Sequence, residues 1–255
     1  MAGLSKILPY QILSSWGSHQ KQHFCLLGND QVSIGKYFLS CLLTVVSVRL
    51  EDGSQHKNLR IFSVTTGEEV IAFTQKSQEG WDLQYTASES HAVRLSGSEV
   101  QVFNPADWAK GVIDKLKVEG CTSVALSPGL NPHIAVFVAE KKGAPAMIRI
   151  YGLVTLSSPP TSQKTFYKSD RATIKWNALG TQVLVLTQTE VDKTNKSYYG
   201  ETGLYLLSAA GNFDCRVTLD KEGPIHDFAW SPNSKEFGVV YGCKICSIFS
   251  YQILT

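Results

Sequence analysis

Apolar and polar residues alternate along this chain in short runs of strand length, and one arrangement of them returns four times. Residues 81–88, 122–129, 173–180 and 226–233 each hold an alternating run, a small polar turn and the start of a second apolar run. The equivalent apolar positions Tyr85, Leu126, Trp176 and Trp230 stand about 41, 50 and 54 residues apart. This is near or somewhat above the roughly 40 to 50 residues of one propeller blade. Further strands follow each form. After Ser127-Pro128 come residues 133–140, the turn Lys142-Gly143-Ala144-Pro145 and residues 147–151. After Asn177 come residues 182–189, a polar excursion through Tyr199-Gly200-Glu201, residues 203–208, and then 213–219, which makes four strands in one repeat. Residues 59–73 read as a hairpin that ends one blade and opens the next, with Thr66-Gly67 as its turn.

The recurring turn has a physical basis. Ser and Asn side chains hydrogen-bond to nearby backbone at a chain reversal, and Pro presets φ at its start. A β-sandwich also has short, evenly spaced strands, but it does not repeat one four-strand unit with the same turn at the same place. The pattern therefore predicts an all-β fold, a WD40-like β-propeller that is partial, with about four or five four-stranded blades. No window sustains the i, i+3, i+4, i+7 spacing of a long amphipathic helix. Residues 104–120, with Trp108, Val112 and Leu116, come nearest and predict about two helical turns. Residues 37–48 form the longest apolar stretch and read as buried strand, being too short for the roughly 18 to 20 residues that cross a bilayer.

Composition narrows the classes of function. The chain has 255 residues, 43% of them hydrophobic, enough to bury a sizeable core. Its 24 Lys and Arg nearly balance 22 Asp and Glu, so any contact with nucleic acid must be local. Residues 1–17 make a poor signal peptide and the six cysteines are scattered, which together point to a reducing, cytoplasmic setting with no membrane partner. Asn195-Lys196-Ser197 matches a glycosylation acceptor, a reaction that requires the secretory route.

Several side chains have functional spacing. Cys243 and Cys246 have that of half a zinc site, but no second pair accompanies them, and strand alternation puts them on opposite faces. Gly28 and Gly35-Lys36 fail the phosphate-loop pattern, since Asp30 and Tyr37 occupy required positions. His19 and His23 read as solvated, and no hydrolase or paired-carboxylate motif occurs. These readings predict no enzyme, no cofactor and no metal. His226-Asp227 reads as a structural polar pair that ties its turn to a neighbouring strand, so that Asp227→Ala costs stability. Basic and aromatic side chains interleave at Lys141, Lys142 and Arg149, and at Lys193, Lys196, Tyr198 and Tyr199. On loops, such sets either are simply solvated or hold phosphates and stack bases.

Some stretches carry side chains that no blade pattern demands. Among them are Leu126-Ser127-Pro128-Gly129, Ile148-Arg149-Ile150-Tyr151, Phe166-Tyr167-Lys168-Ser169-Asp170, and Val191-Asp192-Lys193-Thr194 with Ser197-Tyr198-Tyr199-Gly200-Glu201, followed by Gly223-Pro224-Ile225-His226-Asp227. In these, residues 44–242 resemble the eukaryotic translation initiation factor 2A family. The resemblance implies a large propeller followed by a basic tail. It also implies a non-enzymatic adaptor that directs initiator methionyl-tRNA to the small (40S) ribosomal subunit without GTP, on specific mRNAs and beside other initiation factors. Residues 1–43 and 243–255 depart from the family pattern, giving a divergent leader, a blade region and a divergent tail, as expected of a truncated or alternative product. A ring left open in this way exposes a strand edge. The competing reading is a WD-propeller scaffold component of the initiation factor 3 complex, which a flanking RNA-recognition motif would favour; this sequence shows none.

Overall fold

The computed structural model describes residues 23–28, 31–37, 41–46, 57, 59–63, 66–74, 83–141, 143–189, 200–221, 223–242 and 247–252. The chain divides into two compact units, residues 1–78 and 79–255. The first unit holds one antiparallel sheet of β1 (His23–Gly28), β2 (Gln31–Tyr37), β3 (Cys41–Val46), β4 (Leu59–Ser63) and β5 (Glu69–Phe73), in that order. The 37–48 stretch thus contains the last residue of one strand and the whole of the next. The hairpin at Thr66-Gly67 forms as expected: Gly67 takes φ 70°, and its N–H donates to the Ser63 carbonyl at 2.8 Å. Its two strands nevertheless pair within one sheet, Leu59 opposite Phe73, so the hairpin does not join separate blades.

Among the described residues, the second unit holds four antiparallel sheets, each a meander in chain order. The first contains β6 (Gln84–Tyr85), β7 (Ala92–Ser96), β8 (Glu99–Phe103) and β9 (Val112–Lys117). The second contains β10 (Cys121–Leu126), β11 (His133–Val138), β12 (Ala146–Gly152) and β13 (Ser162–Phe166). The third contains β14 (Arg171–Trp176), β15 (Gln182–Gln188), β16 (Thr202–Ser208) and β17 (Asp214–Arg216). The last contains β18 (Ile225–Trp230), β19 (Glu236–Tyr241) and β20 (Ser247–Gln252). The four recurring forms supply the first strands β6, β10, β14 and β18, so the repeat seen in sequence is a repeat of propeller-like blades.

The core lies between the sheets. On β11, Ile134 and Val136 pack with Val93, Val100 and Val102 of the first sheet, while Ala135 and Phe137 pack with Val183 and Val185 of the third. On β15, Leu184 and Leu186 turn the other way, toward Phe228, Phe237 and Val239 of the last sheet. Middle strands are therefore buried on both faces and read as continuous apolar runs, as strands covered on two sides do.

First strands are joined by a recurring polar link. The Trp176 indole donates back to the Ala125 carbonyl at 3.0 Å, and the Trp230 indole to the Lys175 carbonyl at 2.9 Å. Gln84 does the equivalent forward, donating to the Val124 carbonyl at 2.9 Å and accepting from the Leu126 N–H at 2.7 Å. Each link satisfies a polar group that packing has removed from water, where it would otherwise cost about 1–3 kcal/mol.

The turn residues behave as the pattern implies. Thr86, Ser127 and Asn177 are buried, and each side chain accepts a backbone N–H of its own turn: His91 at 3.1 Å, His133 at 2.8 Å, and Thr181 and Gln182 at 2.9 and 3.1 Å. Asn177→Ala leaves both of its amides without that acceptor and is expected to lower stability by about 1–3 kcal/mol, read from the urea midpoint.

The helix expected at 104–120 does not form. A single 3₁₀ turn, Trp108–Lys110, seats Trp108 against Phe103 with ring centroids 5.7 Å apart, and the chain continues as β9. Among the described residues β9 pairs on one side only, with β8, as the outermost strand of its sheet, and it is exposed along most of its length. Lys115 and Lys117 then suit it, since charged side chains protect a strand edge. Spacing Val112 and Leu116 four apart mimicked a helix face.

Candidate nucleic-acid interface

In an antiparallel meander, successive connections emerge at opposite ends of the sheet. The β11–β12, β13–β14, β15–β16 and β17–β18 connections therefore share one end of the second unit, and their described charged residues are Glu140, Lys141, Lys168, Asp170, Glu201, Asp220 and Lys221. Lys141 opens a tight turn: Ala144 N–H donates to its carbonyl at 2.7 Å, and Gly143 takes φ 81°. The preceding residue, Glu140, joins this connection to the next one. Its carboxylate accepts the Lys168 N–H at 2.6 Å and the Ser169 N–H at 3.3 Å. Those bonds hold Lys168 at φ 55°, a left-handed conformation uncommon outside glycine. The Lys168 ammonium in turn reaches Glu201 at 3.2 Å. Glu201 N–H donates to Thr189 Oγ1 at 2.8 Å, closing the base of the excursion where Gly200 comes too near Thr189 for any side chain.

This chain of contacts fixes the β13–β14 turn, on which Tyr167, immediately before Lys168, is 82% exposed. Aromatic faces stack on bases and ammonium groups attract phosphates, so the arrangement can hold a single-stranded nucleic acid. Tyr167 and Lys168 were not among the site residues drawn from sequence, although they form the same aromatic-basic pairing as those that were. Lys141 stands on the expected loop. Arg149 does not: it lies in β12 opposite Val136 and Gln163, half-buried, with its Nε atom inside the protein. Lys142, Lys193, Lys196, Tyr198 and Tyr199 lie outside the described residues, as do Cys243, Cys246 and His19.

His226 and Asp227 are structural in a different way from that expected. The His226 ring donates from Nε2 to the Gly242 carbonyl at 2.7 Å. Asp227 reaches across to the neighbouring sheet, where Lys175 Nζ lies 2.8 Å from its carboxylate and also donates to the Phe228 carbonyl at 2.5 Å. The Asp227 side chain is 69% exposed, so it is not a buried group that must be satisfied. The hydrogen bond from Lys175 lowers its pKa below the usual carboxylate value. A depressed carboxylate contributes stability above its unfolded pKa of about 3.9 and loses that contribution as pH falls through the folded value. Exposure keeps the contribution small. Asp227→Ala is expected to cost under about 1 kcal/mol at pH 7, and progressively less as pH falls below the unfolded pKa of about 3.9, checked by melts at pH 7 and across the acid range.

Known proteins share this sequence and this fold. The sequence model described as "Eukaryotic translation initiation factor eIF2A" matches residues 164–253. Eukaryotic translation initiation factor 2A of Schizosaccharomyces pombe is 56% identical over 191 residues, covering 75% of this chain and 33% of that protein. A solved structure described as the crystal structure of the eukaryotic initiation factor superposes with a TM-score of 0.74 at 38% identity, over 90% of this chain and 60% of its own. A component of eukaryotic translation initiation factor 3 from Anopheles gambiae is similar only at 22% identity over 205 residues, covering 74% of this chain and 29% of that protein. The chain thus spans about a third of the length of the curated relatives it matches. With more than half its residues shared with the Schizosaccharomyces pombe protein across three quarters of its length, this chain belongs to the eukaryotic translation initiation factor 2A family.

Proposed function

We propose that this chain acts in translation initiation as a non-enzymatic adaptor, directing initiator methionyl-tRNA to the small ribosomal subunit independently of GTP on specific mRNAs, in the cytoplasm. Family membership supports the initiation role. The observation that carries the adaptor reading is the end of the second unit where Glu140 and Glu201 hold the Lys168 turn and leave Tyr167 exposed. Lys141 adds a cation to that same end, and Lys142, Lys193, Lys196, Tyr198 and Tyr199 are proposed to contribute with it. With a formal charge of +2 the protein has no strong overall attraction for RNA, so binding depends on this local set.

The test is sedimentation of the full chain with small ribosomal subunits and initiator tRNA. Co-migration at low salt that weakens after a high-salt wash is expected, because each phosphate contact releases counterions on binding and is therefore opposed by added salt. Replacing Lys141 and Tyr167 together by alanine is expected to weaken tRNA binding by about tenfold or more, at an alanine-substitution value of ~1–3 kcal/mol for stacking. Free migration of the unaltered protein at low salt contradicts the adaptor reading.

A further inference from the structure

The opposite end of the second unit has the reverse chemistry. There the connections after β10, β12, β14 and β16, residues 127–132, 153–161, 177–181 and 209–213, contain no Asp, Glu, Lys or Arg. They expose large apolar side chains instead: Leu130 at 100%, Val154 at 78%, Leu179 at 64% and Phe213 at 47%. Val70, Val112, Ile113 and Tyr167 are the other large apolar side chains exposed among the described residues, so half of that set stands on these four connections.

The four connections form one platform. Gly129 and Gly180 pack backbone to backbone, so closely that a Cβ on Gly129 would lie 2.3 Å from the Leu179 carbonyl oxygen. Ala209 N–H donates to the Thr181 carbonyl at 2.9 Å, and the Thr161 hydroxyl donates to the Ala209 carbonyl at 2.8 Å. Leu153 N–H donates to the Pro132 carbonyl at 2.9 Å. Charge returns only to either side, with Glu89, Asp107 and Lys110 on the turns of the first sheet and Lys235 on that of the last. An apolar centre with a charged rim is the anatomy of a protein interface.

We infer that this end docks the uncharged, apolar face of a helix in a partner protein. Charge complementarity sets the class of partner. A charged face would lose its hydration here and find no counter-charge, and a nucleic acid would find no cation for its phosphates. The platform is built of turns rather than a strand edge, so it offers no ladder to an added strand, which leaves side-chain contact of the helix-in-groove kind. Leu130 and Leu179, on turns whose backbones touch, are the anchors.

The probe is a fluorescein-labelled synthetic helix with leucines at i, i+3, i+4 and i+7, alanine and glutamine elsewhere and capped ends, titrated against the full chain by anisotropy. Saturable binding is expected, and Leu130→Asp with Leu179→Asp should weaken it by at least about tenfold, as loss of central anchors does. Both residues are solvent-exposed turn positions, so the double variant should melt with the unaltered protein, and Tyr167→Asp at the other end should leave peptide binding unchanged. The inference is overturned if no saturable binding occurs, if the double variant binds equally well, or if a peptide with lysines in its apolar stripe binds as tightly. Concentration-dependent self-association of the unaltered chain, abolished in the double variant by sedimentation equilibrium, also overturns it by making a second copy the occupant.

Discussion

Phe137→Ala is expected to lower the stability of the second unit by about 3–5 kcal/mol, the range for truncating a fully buried phenylalanine. Phe137 is 0% exposed and sits between two sheets, packed with Ile148 and Phe166 of its own blade and with Val183 and Val185 of the next. Removing the ring strips apolar area from the seam and leaves a void, because strands held by ladder hydrogen bonds on both edges can close in only a little. The neighbouring residue on the same strand, Val136, faces the other seam. Val136→Ala should therefore cost less, since it removes a smaller volume, and the two effects should add to within about 0.5 kcal/mol because the side chains line different cores. Urea midpoints for the two single variants and the double variant check this. A strongly non-additive double would mean that the seams do not act independently.

The second large effect concerns glycine, at Gly211, and it separates two costs usually measured together. Gly211 has φ 76°, and a Cβ placed there would lie 2.1 Å from the Thr161 carbonyl oxygen. Gly97 has φ 63° with nothing within 4 Å. Gly97→Ala is expected to cost about 1–2 kcal/mol, the penalty of an L-residue in the left-handed region alone. Gly211→Ala bears the same penalty and must also push apart the connection that Thr161 ties to Ala209, so it should cost at least about 3 kcal/mol, with displacement of the bond from the Thr161 hydroxyl to the Ala209 carbonyl as the added term. Equal urea midpoints for the two variants would show that the close approach relaxes without cost.

Much of the blade order was legible in the chain because its signals are local. Tyr85, Leu126, Trp176 and Trp230 mark the first strands, and Thr86, Ser127 and Asn177 cap the turns that follow, since a turn needs its acceptor within a few residues. The misreadings share a cause. At 112–117, two apolar residues four apart fit one face of a helix, but the strand forms because β8 offers a partner edge. Asp227 is tied to a neighbouring strand as its pattern implies, but its partner Lys175 comes from a different repeat and its 69% exposure keeps the effect small, neither of which local sequence shows. Arg149 was grouped by charge with the loop residues Lys141 and Lys142, although the run 147–151 in which it lies reads as strand, and Ile148 and Ile150 on either side of it draw that segment into β12.

For the candidate interface, sequence supplied residue types but not their arrangement. It marked Lys141 and Arg149 as one set, and the fold places one on a turn and the other half inside a sheet face. Tyr167 and Lys168 enter the site only because Glu140, from another connection, holds their turn. What the sequence determined by itself is the repeat: strand lengths, turn chemistry and chain order, each set by interactions within a few residues. What only the tertiary structure decided is the division of the connections between a charged end and one whose central connections carry no charge. Which end a loop occupies depends on the parity of strand crossings, and which loops touch depends on sheet packing, and neither quantity is carried by any local pattern of residues.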